Sequence, residues 1–531
     1  MRITALGHAG LNVESSSTTL LVDPWLSPFG AFQSSWFQYP ENQHVLDASL
    51  LSPTAIAVSH EHLDHLDPWF LARVADTVPV LIPRYPSPAT TRKVRAVRGG
   101  TIIELEPWRW FEVGPDTRVM FVTEDSPLNH DAAVVVVANG RVLLDLNDAR
   151  LSPAQILQIR AAVGGDIDVL TIQGSSATWH PMRYELPLQR KLELTHQKRV
   201  AKLQYVERVV TAAAPTDVLP FAGPPCFLDD ELISVNHEMD GGLFPDQFAV
   251  VDWLQRRGHP GVSVLLPGDT FDAATRDRVR HPLWDGFESG DRWEYLRAYA
   301  ARRTDAIQRT KHEYPEPTRS MWEPFRDYFE ALLSLSPYFN HRIAMRVGFD
   351  LEGPGGGSWS VDFRDGRSGV YDELADCGYR YRFETRWLPA ILEGRVPWED
   401  FFLSLRFTAS RQPDIYNDHL LGLLKFACRA SLDAVESYEV AVPAPDRITV
   451  AAEGDRYSVQ RYCPHAGADL GDTSQVLPGR VLRCLNHYYE FDLETGRCLN
   501  GDSPPLDSRR LSTVDGANLD DGDVRPAATP R

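Results

Sequence analysis

The chain has no run of 18 apolar residues anywhere in its 531, so nothing in it reads as a membrane-spanning helix. It has only six cysteines. That is too few for a disulfide framework in a chain this long, and a reducing, cytoplasmic setting is expected. It is short of positive charge, with 54 Lys and Arg against 73 Asp and Glu and a formal net charge of −19. Nucleic-acid binding draws on counterion release by Lys and Arg, so nucleic acid is excluded as a partner, and an anionic membrane surface with it. A local basic pocket for an anionic small molecule stays open. The opening Met1-Arg-Ile-Thr-Ala-Leu-Gly-His8 turns polar too soon for a signal peptide.

What the chain does have is length for two to four domains, with 43% apolar and 10% aromatic residues to fill their cores. Its most informative stretch is Ser59-His60-Glu61-His62-Leu63-Asp64-His65. His60, His62, Asp64 and His65 are four potential metal ligands within six residues. The apolar run from Thr54 to Ser59 before them reads as a buried strand. Imidazole suits zinc and iron, and a carboxylate adds a hard oxygen. The bland alternative is a polar turn that happens to hold His and Asp.

Ser-His-x-His-x-Asp-His after a strand resembles the metal motif of the metallo-β-lactamase fold, an αββα sandwich. Together with a C-terminal signature described below, the chain resembles the CMP-N-acetylneuraminate hydroxylases. The resemblance implies more of the site. Asp23, at the end of the strand Thr18–Asp23, stands where the family orients a ligand His. His8 stands at a family His of uncertain role, with a structural His as the alternative. His130 and Asp148 flank the hairpin built on Asn139-Gly140 and stand at ligand positions. Asp148 could instead cap a helix, and Asp145 is a weaker candidate. His180, after the strand Ile167–Gln173, is either a further ligand or a residue that touches substrate. Asp64 and His180 are therefore the catalytic candidates, and His60, His62, Asp64, His65, His130 and Asp148 the metal candidates.

Elsewhere the pattern is structural. Residues 27–44 hold five aromatic side chains, either a pocket wall or a loop tucked over the core. Helical spacing spans about 185–214, and Val262–Thr270 reads as a last strand and turn. Cys226, Cys377 and Cys428 read as packing thiols. Residues 338–430 alternate as strands and short helices, weakly similar to a sterol-carrier-like module. This accessory region is expected to close the substrate site or seat the last domain; the alternative is an extension of the first core. Its first strand is expected at Arg342–Asp350.

Tyr438–Val442, Arg447–Val450 and Arg456–Arg461 read as strands. They lead to Cys463-Pro-His465 and Cys484-Leu-Asn-His487, with 18 residues between His465 and Cys484. Mixed Cys/His pairs fit a Rieske [2Fe–2S] centre, in which one iron takes two thiolates and the other two imidazoles. A zinc finger would keep its two Cys together and its two His together. The flanks Cys-Pro-His-Ala-Gly-Ala-Asp-Leu-Gly and His-Tyr-Tyr-Glu-Phe-Asp also resemble Rieske loops, and Cys498 is left as structural. In the hydroxylases the Rieske domain comes first; here it comes last.

The expected organisation is α/β with a metallo-β-lactamase-like domain over 1–270, an accessory α+β region over 271–435, an all-β Rieske domain over 436–515 and a disordered tail over 516–531. The expected function is an iron-dependent oxygenase (a hydroxylase or N-oxygenase) of a small molecule. It would use a [2Fe–2S] cluster, one or two non-haem irons, O2 and an external ferredoxin or reductase, with assembly into a homo-oligomer left open. The alternatives are a zinc-dependent hydrolase of a phosphoester or amide with a redox-sensing Rieske module, and an electron-transfer protein with a degenerate first domain.

Overall fold

A computed structural model describes residues 1–511, apart from 125–129, 176–177, 240–243, 289, 291, 413–415, 442–446, 465–468, 472–473, 486–488 and 501–502. Two sheets face each other in the first lobe. The first joins β1 (Arg2–Gly7), β2 (Gly10–Glu14), β3 (Thr19–Val22), β4 (Ala55–Ala57), β5 (Val80–Pro83) and β6 (Ile102–Leu105). The second joins β7 (Phe111–Gly114), β8 (Thr117–Thr123), β9 (Ala132–Ala138), β10 (Arg141–Asp145), β11 (Val169–Gln173) and β12 (Asp217–Phe221). Two late strands, β13 (Thr270–Asp272) and β14 (Arg278–Val279), complete the first sheet in the order β14-β13-β1-β2-β3-β4-β5-β6. The second runs β12-β11-β10-β9-β8-β7.

Strand period decides the layering. In β9, Val134 and Val136 face the first sheet and share a core with Val13, Val22 and Ala57. Ala133 and Val135 point the other way, onto helices. Those helices are α3 (Pro153–Val163), α4 (Leu188–Ala213) and α5 (Gln247–Arg256), through Ile156, Leu203 and Val250. The outer face of the first sheet is covered by α1 (Pro68–Leu71) and α2 (Ala89–Val97), through Phe70 and Val94. The lobe is thus an αββα sandwich of the metallo-β-lactamase kind. The chain continues past residue 270 against this lobe: α6 (Arg292–Glu313) packs Leu296, Tyr299 and Ile307 onto Trp25, Phe37 and Tyr39.

The aromatic loop 27–44 is core. Phe32, Trp36, Phe37 and Tyr39 are buried. Trp36 Nε1 donates to the carbonyl of Leu403 at 2.6 Å, and Ser35 Oγ to that of Ser404 at 2.5 Å. The loop therefore joins the first lobe to the accessory region.

The accessory region has its own five-stranded sheet. Its strands are β15 (Arg346–Glu352), β16 (Gly357–Asp362), β17 (Gly369–Tyr371), β18 (Tyr379–Glu384) and β19 (Thr408–Arg411), in the order β17-β16-β15-β18-β19. Around it lie α7 (Trp322–Leu333), α8 (Pro337–Ile343), α9 (Leu388–Leu392), α10 (Trp398–Leu403), α11 (Asp418–Phe426) and α12 (Arg429–Ala441). Its core is largely aromatic, with Phe325, Phe349, Tyr381, Trp398 and Phe402 in contact.

Three sequence expectations are corrected here. Tyr438–Val442 was expected as a strand, but α12 runs through Ala441. Leu432 and Val435, three apart on one helix face, are buried, and that tertiary contact overrides the strand-like alternation of the last residues. Val262–Thr270 gives only a bridge from Val262 to Val218 before β13 begins at Thr270. The strand expected from Arg342 starts at Arg346, because Ser336 caps α8 with a hydrogen bond from Phe339 N and Pro337 opens that helix.

The last domain is two small sheets, β20 (Arg447–Ala452), β21 (Asp455–Gln460) and β25 (Ser508–Arg510) in one, β22 (Ser474–Leu477), β23 (Val481–Cys484) and β24 (Glu490–Asp492) in the other. Tyr457, Val459, Leu482 and Phe491 form its core. Arg190 Nη2, near the start of α4, donates to the carbonyl of Leu499 at 3.2 Å and ties this domain to the first lobe. Among the described residues no helix is long and apolar enough to cross a membrane.

Candidate metal centre

The carboxyl ends of the parallel strands β3, β4, β10 and β11 open on one rim, the usual place for a site in such sheets. Asp23 follows β3, Ser59–His65 follows β4 and Asp148 follows β10, while Gln173 ends β11. His8 follows β1, and Asp131 precedes the antiparallel β9, so both reach the same rim. His8 and Asp23 sit at φ 52° and 43°, a left-handed backbone that Asp tolerates better than most residues.

Among the described residues, three groups of ligand atoms lie within 4.8 Å of one another: His60, His62 and Asp131; His60, His65 and Asp148; His8, Asp64 and His65. Hydrogen bonds decide which ring nitrogens face inward. Asp23 accepts from Ser59 N at 2.7 Å and from Ser59 Oγ at 2.5 Å. His65 Nδ1 therefore donates to Asp23 Oδ2 at 2.8 Å, and in the neutral ring its Nε2 carries the lone pair. That nitrogen is buried, with no hydrogen-bond partner, 3.5 Å from Asp148 Oδ1 and 3.7 Å from Asp64 Oδ2. With the Ser59 hydroxyl proton spent on Asp23, His60 Nδ1 donates to Ser59 Oγ at 2.9 Å. His60 Nε2 then faces His62 Nδ1 at 2.9 Å and Asp131 Oδ1 at 3.7 Å.

The same groups are electrostatically incomplete. Burial holds the His60 pKa well below its ordinary value, and neighbouring His65 and His62 add to that. Burial opposes charge on His65 as well, but Asp148 and Asp64 push its pKa well above normal. Burial, then Glu124, pushes the Asp131 carboxyl up to about 7. Burial would also raise Asp148, yet His65 holds it below the usual carboxylate range. Asp148 is further fixed by Gln173 Nε2 at 2.6 Å, and Gln173 Oε1 by Lys202 Nζ at 2.7 Å.

These residues fit a metal. The ligand-atom distances of 2.9, 3.5 and 3.7 Å are shorter than twice the 2.0–2.2 Å typical of zinc–imidazole and zinc–carboxylate bonds. The orphaned Nε2 of His65 and the cluster of buried carboxylates both call for a cation. The mixed imidazole and carboxylate donors suit zinc or iron.

Of the sequence candidates, His60, His62, Asp64, His65 and Asp148 converge. His130 does not enter the groups. Its Nδ1 meets Glu61 Oε1 at 2.9 Å, its ring stacks on Tyr85 at 4.7 Å, and its Nε2 has no partner. The next residue, Asp131, stands with His60 and His62 instead. His180 is buried against Tyr184, with ring centroids 4.9 Å apart, and is in none of the groups. Asp145 is turned to Thr171 and Asn147. His8 Nε2 meets Asp64 Oδ2 at 2.9 Å. Sequence reasoning missed Asp131, Gln173, Lys202 and Glu399, whose Oε1 is 3.4 Å from His62 Nε2. An acid directly before β9, on the motif's rim, was a readable signal for Asp131. Glu399, 337 positions beyond His62, had none.

In the last domain Cys463 and Cys484 are buried in its small core, and neither is in a disulfide. Cys484 ends β23, and Cys463 directly follows Tyr462, which bridges to Asp469. His465 and His487 lie outside the described residues. Two buried thiols, each followed within three residues by an imidazole, suit the two unlike irons of a Rieske cluster.

Residues 430–510 match the Rieske [2Fe-2S] domain. A Rieske 2Fe-2S iron–sulfur protein of Mycolicibacterium smegmatis is 31% identical over 532 residues, covering 96% of this chain and all of that one. Cytidine monophosphate-N-acetylneuraminic acid hydroxylase of Asterias rubens is 24% identical over 448 residues, covering 78% of this chain and 64% of that one. Among solved structures, CmlA, a diiron β-hydroxylase from Streptomyces venezuelae, is 16% identical with a TM-score of 0.35, over 53% of this chain and 54% of that one. This chain belongs to the family of the mycobacterial Rieske 2Fe-2S iron–sulfur proteins.

Proposed function

We propose that this chain is an iron-dependent oxygenase of a small-molecule substrate, with O2 as co-substrate and an external ferredoxin or reductase as electron source. One observation carries the reading: a Rieske domain and a buried imidazole–carboxylate centre share one chain. A hydrolytic centre has no use for an electron carrier, whereas a redox-active one does. The similarity to a hydroxylase over 448 residues supports oxygen insertion, as hydroxylation or N-oxygenation. The order of domains differs from that family, so the substrate is proposed only as a small metabolite.

When bound, iron with imidazole and carboxylate ligands and open positions supplies the oxygen chemistry, and a [2Fe–2S] cluster supplies single electrons. His60, His62 and Asp131 would hold one ion, and His65, Asp64 and Asp148 a second. Asp23 and Ser59 set the ring orientation of His65 and His60. Cys463 and Cys484, with His465 and His487, would hold the cluster. His180, outside the ligand groups, is assigned to the substrate side. The helix α4 spans both parts: Arg190 touches the last domain and Lys202 the Asp148 network. Their twelve-residue separation is about 18 Å along a helix.

The test is metal content after anaerobic purification, read with O2 uptake in the presence of reductant. About three to four irons per chain are expected, two from the cluster and one or two from the His/Asp centre. Cys484→Ala should lose both the cluster and O2 uptake. Two irons plus zinc, with a hydrolytic activity that survives Cys484→Ala, would overturn the reading in favour of a zinc hydrolase.

A further inference from the structure

We infer that Glu399, held by Lys425, orients His62 for metal binding, so that the accessory region builds part of the centre. The inference rests on the metal-centre reading above. His60 and His65 each have one ring nitrogen aimed inward and the other fixed by an oxygen from Ser59 or Asp23. His62 follows the same plan with its nitrogens exchanged. Its Nδ1 faces His60, and its Nε2, with no closer acceptor among the described residues, looks at Glu399 Oε1 3.4 Å away. A ligand imidazole that donates its outer N–H to a carboxylate is held in the binding tautomer. No oxygen of the first lobe is placed to do this for His62 among the described contacts.

Glu399 is itself held. Lys425 Nζ, on α11, pairs with Glu399 Oε1 at 2.9 Å. The neighbouring Asp400 takes Lys93 at 3.0 Å, and Lys93 Nζ also donates to the carbonyl of Glu61 within the motif at 2.9 Å. Phe426, next to Lys425, lies 5.1 Å from the His130 ring. These contacts press α10 and α11 onto the His-x-His loop from one side. A half-buried carboxylate and a half-buried ammonium placed together there, rather than a hydrophobic pair, serve the histidine more than the fold, because such pairs add little net stability.

The experiment compares full-length wild type with Glu399→Ala and Glu399→Gln by anaerobic equilibrium dialysis against 57Fe(II), with Mössbauer spectra of the loaded protein and circular dichroism of the fold. Glu399→Ala should lower affinity for one ion about 10–100-fold, and the spectral component of that ion should fade. The cluster signal should stay, and Glu399→Gln, which keeps an oxygen acceptor, should lose less. If Glu399→Ala does not fold, the double variant Glu399→Leu/Lys425→Met removes the acceptor and both charges together and should show the same selective loss. Wild-type affinity and spectra in the folded variant overturn the inference while leaving the metal centre standing. A wild-type protein that takes up no iron beyond the cluster's own overturns the metal-centre reading, and this inference with it.

Discussion

The Nδ1 of His65 and the Oδ2 of Asp23 meet at 2.8 Å across the ends of β4 and β3, 42 residues apart in the chain. Both side chains are fully buried. The same carboxylate also takes both donors of Ser59, so one residue fixes two rings at once, His65 directly and His60 through the hydroxyl. Asp23 is thus the hinge on which the inward nitrogens of the centre turn.

Asp23→Asn should therefore act on metal binding beyond its effect on stability. An amide presents only one oxygen, and its NH2 cannot accept from Ser59 or His65. Iron or zinc affinity is expected to fall about 10–100-fold. The fold should weaken by about 1–3 kcal/mol from the donor left unsatisfied. Metal titration and urea unfolding of the same preparation separate the two effects; unchanged metal affinity would contradict the role given to Asp23.

Proton release should accompany metal uptake. The Asp131 carboxyl is pushed up to about 7 by burial and then Glu124, so near pH 6 it carries a proton that a metal must displace. A raised acid pKa gives the sign: affinity rises as pH goes from about 6 to 8 through Asp131, and His65, whose pKa is also raised, carries the rise to higher pH. Calorimetry in buffers of differing ionisation enthalpy counts the protons. Asp131→Asn should release fewer and show a flatter pH profile between those limits. An identical profile would show that the metal displaces no proton from Asp131.

Trp36 joins two lobes, buried at 2% exposure with its indole N–H on the carbonyl of Leu403. Trp36→Ala should cost about 3–5 kcal/mol and loosen α10 from the first lobe. Urea unfolding should then resolve a separate, earlier transition for the accessory region. A single transition at the wild-type midpoint would count against the joint.

What could be read without coordinates was whatever depends on neighbours in sequence. The strand before the motif, the Asn139-Gly140 turn with φ of 50° and 70° and the long helix near 185–214 follow from local pattern. So does the ligand spacing, since His60, His62, Asp64 and His65 are held by one short loop. Mixed Cys/His pairs are likewise local, and they identified the last domain. The reading failed where a distant contact outvoted the pattern, as when the buried Leu432 and Val435 carried α12 to Ala441.

By itself, then, the sequence determined single strands, the motif loop and the kind of cluster, because period and spacing along a chain constrain backbone and donor type directly, while the two-sheet sandwich was implied by the resemblance. Only the tertiary structure decided that Asp131 rather than His130 stands beside His60 and His62, and that Gln173, Lys202 and Glu399 come to the same rim. Such partners are chosen by which strand ends and which lobes meet in space, and a side chain brought from 337 residues away leaves no trace in the spacing around it.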